Sequence, residues 1–193
     1  METTGLDPGR HEIISFAAVP IEQGRIAAGA AVSGLVRPRV APPPESIRIH
    51  GLRAADLEAA PRAPDALAPL AGLLRGRIPV AHAAWVERAF LTPPLGELGA
   101  RLPRRLVDTA ALWRLLCLDR GEDDPGWCNL AWVAAALGLP THRAHEAEGD
   151  ALTTAQVFLA LATHLESHGR KTAAALTGAA GRLRGWELWR PPG

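Results

Sequence analysis

Two extended apolar runs lie next to each other near the start of the chain, and they commit it to a sheet. Ile13 to Ile21 is continuous and apolar, and Arg25 to Val36 is rich in small and β-branched residues. Gly24 sits at the join, so the pair reads as a β-hairpin. A sheet with an apolar face must be covered, and the rest of the chain supplies the cover. Pro38 to Pro44 breaks regular structure. Ala63 to Leu74 then places Leu67, Leu70, Leu73 and Leu74 at helical spacing. Ile78 to Ala81 predicts a short strand ending at His82. Trp85 to Leu91 starts a helix that Thr92–Pro93–Pro94 is expected to interrupt. Leu106–Val107 predicts another strand, and Asp108 caps the helix that carries Leu112, Leu115 and Leu116. Asn129 to Leu137 is a helix stopped by Gly138 and Pro140. Ala147 to Leu165 is a long helix with Ala151, Ala155, Phe158, Ala162 and Leu165 on one stripe. Strands first, then helices alternating with strands, define an α/β layered domain with a mixed sheet.

The composition excludes several classes. With 193 residues the chain fits one domain of ordinary size. A net charge of +1 gives no global field toward nucleic acid or membrane. No run approaches the roughly 18 apolar residues of a membrane span. Met1 to Pro8 lack the basic and apolar segments of a secretory signal, so the chain reads as cytoplasmic. Cys117 and Cys128 do not have zinc spacing and are too few for a disulfide framework. No Gly-rich loop precedes a Lys-Ser/Thr pair, which disfavours a phosphate-loop NTPase. Composition shifts after His168, so 1–168 reads as the domain and 169–193 as a C-terminal tail. That tail carries Trp186, Trp189 and one short helix from Lys171 to Leu183.

Three distant places put a carboxylate where a site would want one. Glu2 lies in Glu2–Thr3–Thr4–Gly5–Leu6, and Glu87 follows the strand at Ile78–Ala81. Asp150 shares the apolar stripe of the long helix with Thr154 and Phe158, and a charge there is expensive unless paired or metal-bound. Each has a plainer reading: a chain-end acid, a solvated helix acid and a helix-dipole partner. His145 lies five residues before Asp150, and a histidine beside a buried acid is suited to proton transfer near neutral pH.

Taken together these residues resemble the DnaQ-like, histidine-containing DEDD family of 3′–5′ exonucleases. Glu2–Thr3–Thr4–Gly5 is similar to the end of its first motif, Asp-x-Glu-Thr-Thr-Gly. Val80–Ala81–His82–Ala83–Ala84–Trp85–Val86–Glu87 resembles the second, and His145-x-Ala147-x-x-Asp150–Ala151 the third. Ile49–His50–Gly51–Leu52 resembles the segment between the first two. The resemblance implies a ribonuclease-H-like three-layer fold, with a mixed central sheet flanked by helices. It implies hydrolysis of nucleotides from the 3′ end of DNA, or of RNA, with two divalent ions, Mg²⁺ or Mn²⁺. Glu2, Glu87 and Asp150 would be metal ligands, and His145 would orient or deprotonate the water. Thr3, Thr4, Leu6 and His50 would receive the 3′-terminal nucleotide. Implied partners are single-stranded 3′ ends and a DNA polymerase or repair protein, with no membrane.

The chain departs from the pattern in two places. In the second motif Ala83 stands for the usual Asn and Glu87 for the usual Asp. In the first, the leading Asp would fall immediately before Met1, on an internal strand that is expected to be missing here. The expectation is a start placed too late, with a strand ending in Asp upstream. The alternative is a catalytically impaired module that binds nucleic-acid ends or regulates a partner.

Overall fold

A computed structural model describes residues 1–178. The N-terminal sheet is antiparallel. Strand β1 (Glu2–Thr3) pairs with β2 (Ile13–Ala18) in the register Glu2↔Ser15. The predicted hairpin forms in two stages. Short strands β3 (Ile21–Glu22) and β4 (Arg25–Ile26) close around Gln23 and Gly24, with φ of 50° and 74°. Both residues take the left-handed conformation that matches strand twist in a two-residue turn. A 3₁₀ turn at Ala28–Ala30 follows, and β5 (Val32–Leu35) then pairs with β2 from Ala18↔Val32 to Ser15↔Leu35.

Helices α1 (Pro44–His50), α2 (Ala54–Leu57) and α3 (Ala63–Leu73) come next. Gly51 ends α1 at φ 75°, the left-handed cap that glycine permits. Strand β6 (Val80–Ala81) and, after helix α4 (Ala84–Glu97), strand β7 (Val107–Asp108) pair in parallel. Helices α5 (Thr109–Asp119), α6 (Leu130–Ala136), α7 (Ala147–Ser167) and α8 (Ala173–Thr177) complete the described chain. The antiparallel β1-β2-β5 and β3-β4 sheets and the parallel β6-β7 pair are three separate small sheets among the helices, in the α/β fold class expected.

One expectation fails. Helix α4 does not stop at Thr92–Pro93–Pro94 but runs through both prolines to Glu97. Tertiary burial overrides the local penalty. Phe90 and Leu91 before the prolines and Leu95 after them are all buried against Leu67 and Leu70 of α3. Each fully buried side chain of this size stabilises by about 1.5–3 kcal/mol, enough to offset the loss caused by proline.

The second core lies on the other side. Leu112 and Leu116 of α5, Val133 of α6, and Val157, Leu161 and Leu165 of α7 are fully buried together. This packs down the body of α7, whose first turn carries Asp150. The Arg170 guanidinium grips Asp119 with two bonds of 2.6 Å and ties the segment before α8 to the end of α5. Cys117 and Cys128 are free and buried, as expected. The short helix expected in the tail begins as α8, while Trp186 and Trp189 lie outside the described residues. Among the described residues, no helix is long and apolar enough to cross a membrane.

Candidate active site

Three elements carry the acids, and the fold brings them into one electrostatic field. Glu2 comes from β1, Glu87 from the first turn of α4 and Asp150 from the first turn of α7. Glu2 is buried, and burial lifts its carboxyl to about 7. The α-ammonium of Met1 pulls against this, and the charges of Asp150 and Glu87 add to the rise. Burial also lifts Glu87 to about 7, and its Oε2 is sealed from solvent with no hydrogen-bond partner. Asp150 is raised by burial, while a hydrogen bond from the His145 backbone amide and the charges of His145 and His82 hold it back.

His145 stands on the loop before α7 in a left-handed conformation, φ 66°, with an exposed side chain. The loop approaches α7 closely at Gly149, where a Cβ would run into the His142 carbonyl oxygen. His50 lies within the electrostatic reach of His145. Burial lowers the His50 pKa, and the charge of His145 lowers it further, so the two imidazoles share the site. His50 Nδ1 accepts the Leu52 amide at 3.0 Å, which leaves the proton on Nε2. That Nε2 is buried and has no partner.

The threonines divide by role. The Thr4 hydroxyl is spent inside the β1–β2 connection, on the Glu12 amide at 3.0 Å and His11 Nδ1 at 3.1 Å. The Thr3 hydroxyl donates to the Gly5 carbonyl at 2.8 Å. Leu6 is 48% exposed, the apolar contact available to a ligand at this edge.

Two buried residues do more than the sequence reading gave them. Asp108 caps α5 as predicted, accepting the Ala110 amide at 2.9 Å. It also accepts the amides of Ala83 at 3.1 Å and Ala84 at 3.0 Å, across the β6–α4 junction. His82 donates from Nε2 to the Cys128 carbonyl at 2.8 Å and meets the Thr109 hydroxyl at Nδ1, 2.9 Å away. Burial lowers the His82 pKa, while the Cys128 carbonyl and the nearby acids pull the other way. The available signal was the Asp108–Thr109 pair following a short apolar strand, but spacing alone could not say what its second oxygen would hold.

Between the two sheets lies a slot. The β1–β2 register, carried backward from Glu2↔Ser15, runs toward Ala17 and Ala18, which face a cavity of about 610 Å³. Its opposite wall is Ile78 to Ala81, and Ala155 and Phe158 of α7 close the floor. No strand among the described residues joins β2 to β6. An extended segment would have backbone partners on both walls.

Could the acids hold a metal? Among the described residues, no three His, Cys, Asp or Glu side chains close into a ready cage. The chemistry of the donors nevertheless fits a hard divalent cation. All are carboxylate oxygens, Glu87 Oε2 lacks any partner, and Glu2 is raised partly by its acidic neighbours. A cation would relieve all of these.

The fold and this arrangement define a ribonuclease-H-like exonuclease domain. Exonuclease X, solved with 5′-overhanging duplex DNA, superposes with a TM-score of 0.71 at 24% identity, covering 93% of this chain and 96% of that one. Escherichia coli Exonuclease I, solved with a dT13 oligonucleotide, gives 0.71 at 17%, covering 86% of this chain and 40% of that one. The family model for exonucleases, RNase_T, matches residues 1–158. The chain therefore belongs to the RNase_T exonuclease family, in its DnaQ-like branch. Its relatives include the DNA polymerase III subunit epsilon of Treponema pallidum, 30% identical across 84% of this chain and 74% of that protein. A DNA polymerase III subunit epsilon-like protein of Rhodobacter capsulatus is 30% identical across 89% of this chain, which spans only 24% of that protein. A PolC-type DNA polymerase III of Thermotoga petrophila is 35% identical, and the chain spans 11% of it.

Proposed function

We propose that this chain is a divalent-metal-dependent 3′–5′ exonuclease that removes nucleotides from single-stranded or frayed DNA ends. The observation that carries the reading is the gathering of Glu2, Glu87 and Asp150, with Glu2 and Glu87 raised to about 7, beside His145. Buried acids that repel one another make a poor structural core and a good cation seat. Glu2, Glu87 and Asp150 would hold Mg²⁺ or Mn²⁺, which supplies charge neutralisation at the scissile phosphate and an acidified water.

The chain's own residues do the rest. His145, exposed and tied to Asp150 through its backbone, orients the attacking water and takes its proton. The Nε2–H of His50, buried without an acceptor, is placed to donate to a phosphate oxygen. Leu6 offers apolar contact to the terminal base, and Thr3 with the strand backbone lines the sugar. Thr4 supports them by fixing the turn behind. The domain extends over 1–168. A DNA polymerase is the partner that the epsilon-type relatives suggest, the cytoplasm and a repair complex belong to the proposal alone, and RNA ends are a second substrate class.

The test is degradation of a 3′-labelled single-stranded DNA oligonucleotide with Mn²⁺ or Mg²⁺, against chelator. Three proteins run in parallel: this chain, the chain extended at its start by a strand ending in Asp, and the extended form with Asp150→Asn. Stepwise shortening by the extended form, lost with Asp150→Asn, supports the reading. No shortening by any form, with the extended protein folded, overturns it in favour of a module that binds nucleic-acid ends.

A further inference from the structure

We infer that Asp108 is a positioning residue. Its carboxylate holds the junction between β6 and α4 in place, and with it the Glu87 carboxylate. This rests on the reading of Glu87 as a metal ligand.

Helix α4 opens badly by itself. Ala83, its N-cap, sits at φ 60° and ψ 54°, a left-handed conformation that costs any residue with a Cβ. Alanine has no side chain to satisfy the first amides of the helix, and none of its neighbours does so. Asp108 supplies both needs from another element. Oδ1 takes the Ala83 amide at 3.1 Å, and Oδ2 takes the Ala84 amide at 3.0 Å. A helix cap for α5 would need only the Ala110 bond. The other two reach back 24 and 25 residues in sequence. Asp108 is 5% exposed, so water does not compete for these amides.

The neighbouring contacts point the same way. His82, one residue before Ala83, is held to Thr109 and Cys128. The tip of β6 is thus fastened to the start of α5, and Leu112 and Leu116 of α5 are fully buried. Glu87 follows Ala84 by three residues, within the first turn of α4. Its position is therefore set from the β7–α5 junction, which follows α4 in sequence.

The experiment compares the parent with Asp108→Ser, Asp108→Asn, and Asp108→Ser combined with Ala83→Gly. Serine still caps α5 but is too short to span to Ala83 and Ala84. Asparagine keeps the size, and its amide nitrogen turns toward the Ala84 amide. Amide hydrogen exchange and Mn²⁺ binding by calorimetry are read on each. In Asp108→Ser, exchange at residues 83 and 84 rises about tenfold or more while residue 110 stays protected. In Asp108→Asn the rise is confined to residue 84. The Mn²⁺ Kd rises about 10- to 100-fold in Asp108→Ser. Ala83→Gly recovers part of it, because glycine holds the left-handed turn unaided. Unchanged exchange at 83 and 84 overturns the inference. So does a Mn²⁺ loss that Ala83→Gly leaves untouched. A parent that binds no Mn²⁺ defeats the metal reading of Glu87 instead, and the exchange pattern then decides the role of Asp108.

Discussion

The loop at His145 holds the Asp150 carboxyl down, through its backbone and its charge, against the rise that burial causes, although five residues separate the two. The acid and the histidine loop thus act on each other while doing different work. Asp150→Asn and His145→Ala should therefore fail differently. His145→Ala should lower kcat by about 10²–10⁴ while leaving Mn²⁺ affinity close to that of the parent. Asp150→Asn should lower both. Calorimetry with Mn²⁺ beside single-turnover rates, in the strand-extended form, separates the two.

The acid cluster predicts how metal-free stability follows pH. Glu2 and Glu87 are raised from 4.5 to about 7. Raised acids favour the folded state fully below the unfolded value and lose that contribution as pH climbs through the folded one. Melting in chelator should fall between pH 5 and pH 8 by an amount on the order of 2 kcal/mol, or roughly 5 °C. Glu87→Gln should flatten that fall. Mn²⁺ should raise the melting temperature more at pH 8 than at pH 6, since protons compete for the same oxygens. Equal shifts at both pH values would falsify the shared seat.

Gly149 offers a test of loop geometry alone. Gly149→Ala drives a methyl into the His142 carbonyl, so the loop carrying His145 must move. Overpacking of this kind costs about 1–3 kcal/mol. Activity should drop further than melting temperature accounts for, and Mn²⁺ affinity should fall as the start of α7 that carries Asp150 is pushed from the loop.

Ala83 is a position the chain fills at a cost. Asparagine and glycine tolerate left-handed backbone far better than alanine. Ala83→Asn should raise the melting temperature by about 2–4 °C, the shift expected for about 1 kcal/mol in a chain of this size. A fall in differential scanning calorimetry would show that Asp108 already offsets the whole cost.

Much of this fold was legible because it is local. The stripe from Ala147 to Leu165, the helix from Asn129 to Leu137 and the Asp108 cap all depend on residues within a turn or two of one another. Helix α4 was not, because the side chains that carry it past Pro93 lie on α3. In the site, the acids could be named from their motifs, but their mutual field could not be, since it comes from burial. Thr4 and Asp108 mark the same boundary. A side chain's type shows which bonds it can make, and only the packed chain shows which partner takes them.

Pro93 and Pro94 have one more effect. Neither has an amide hydrogen, so two successive rungs of α4 are missing between Glu87 and Leu95. The first turn is fastened through Asp108 and the last through Leu95, which is fully buried. Between two clamped ends the helix has a soft joint. Glu87 sits on the clamped side of that joint, so give at the prolines leaves its backbone where Asp108 holds it. The compliance stays local, so a shift at the acid end need not travel into the core behind it.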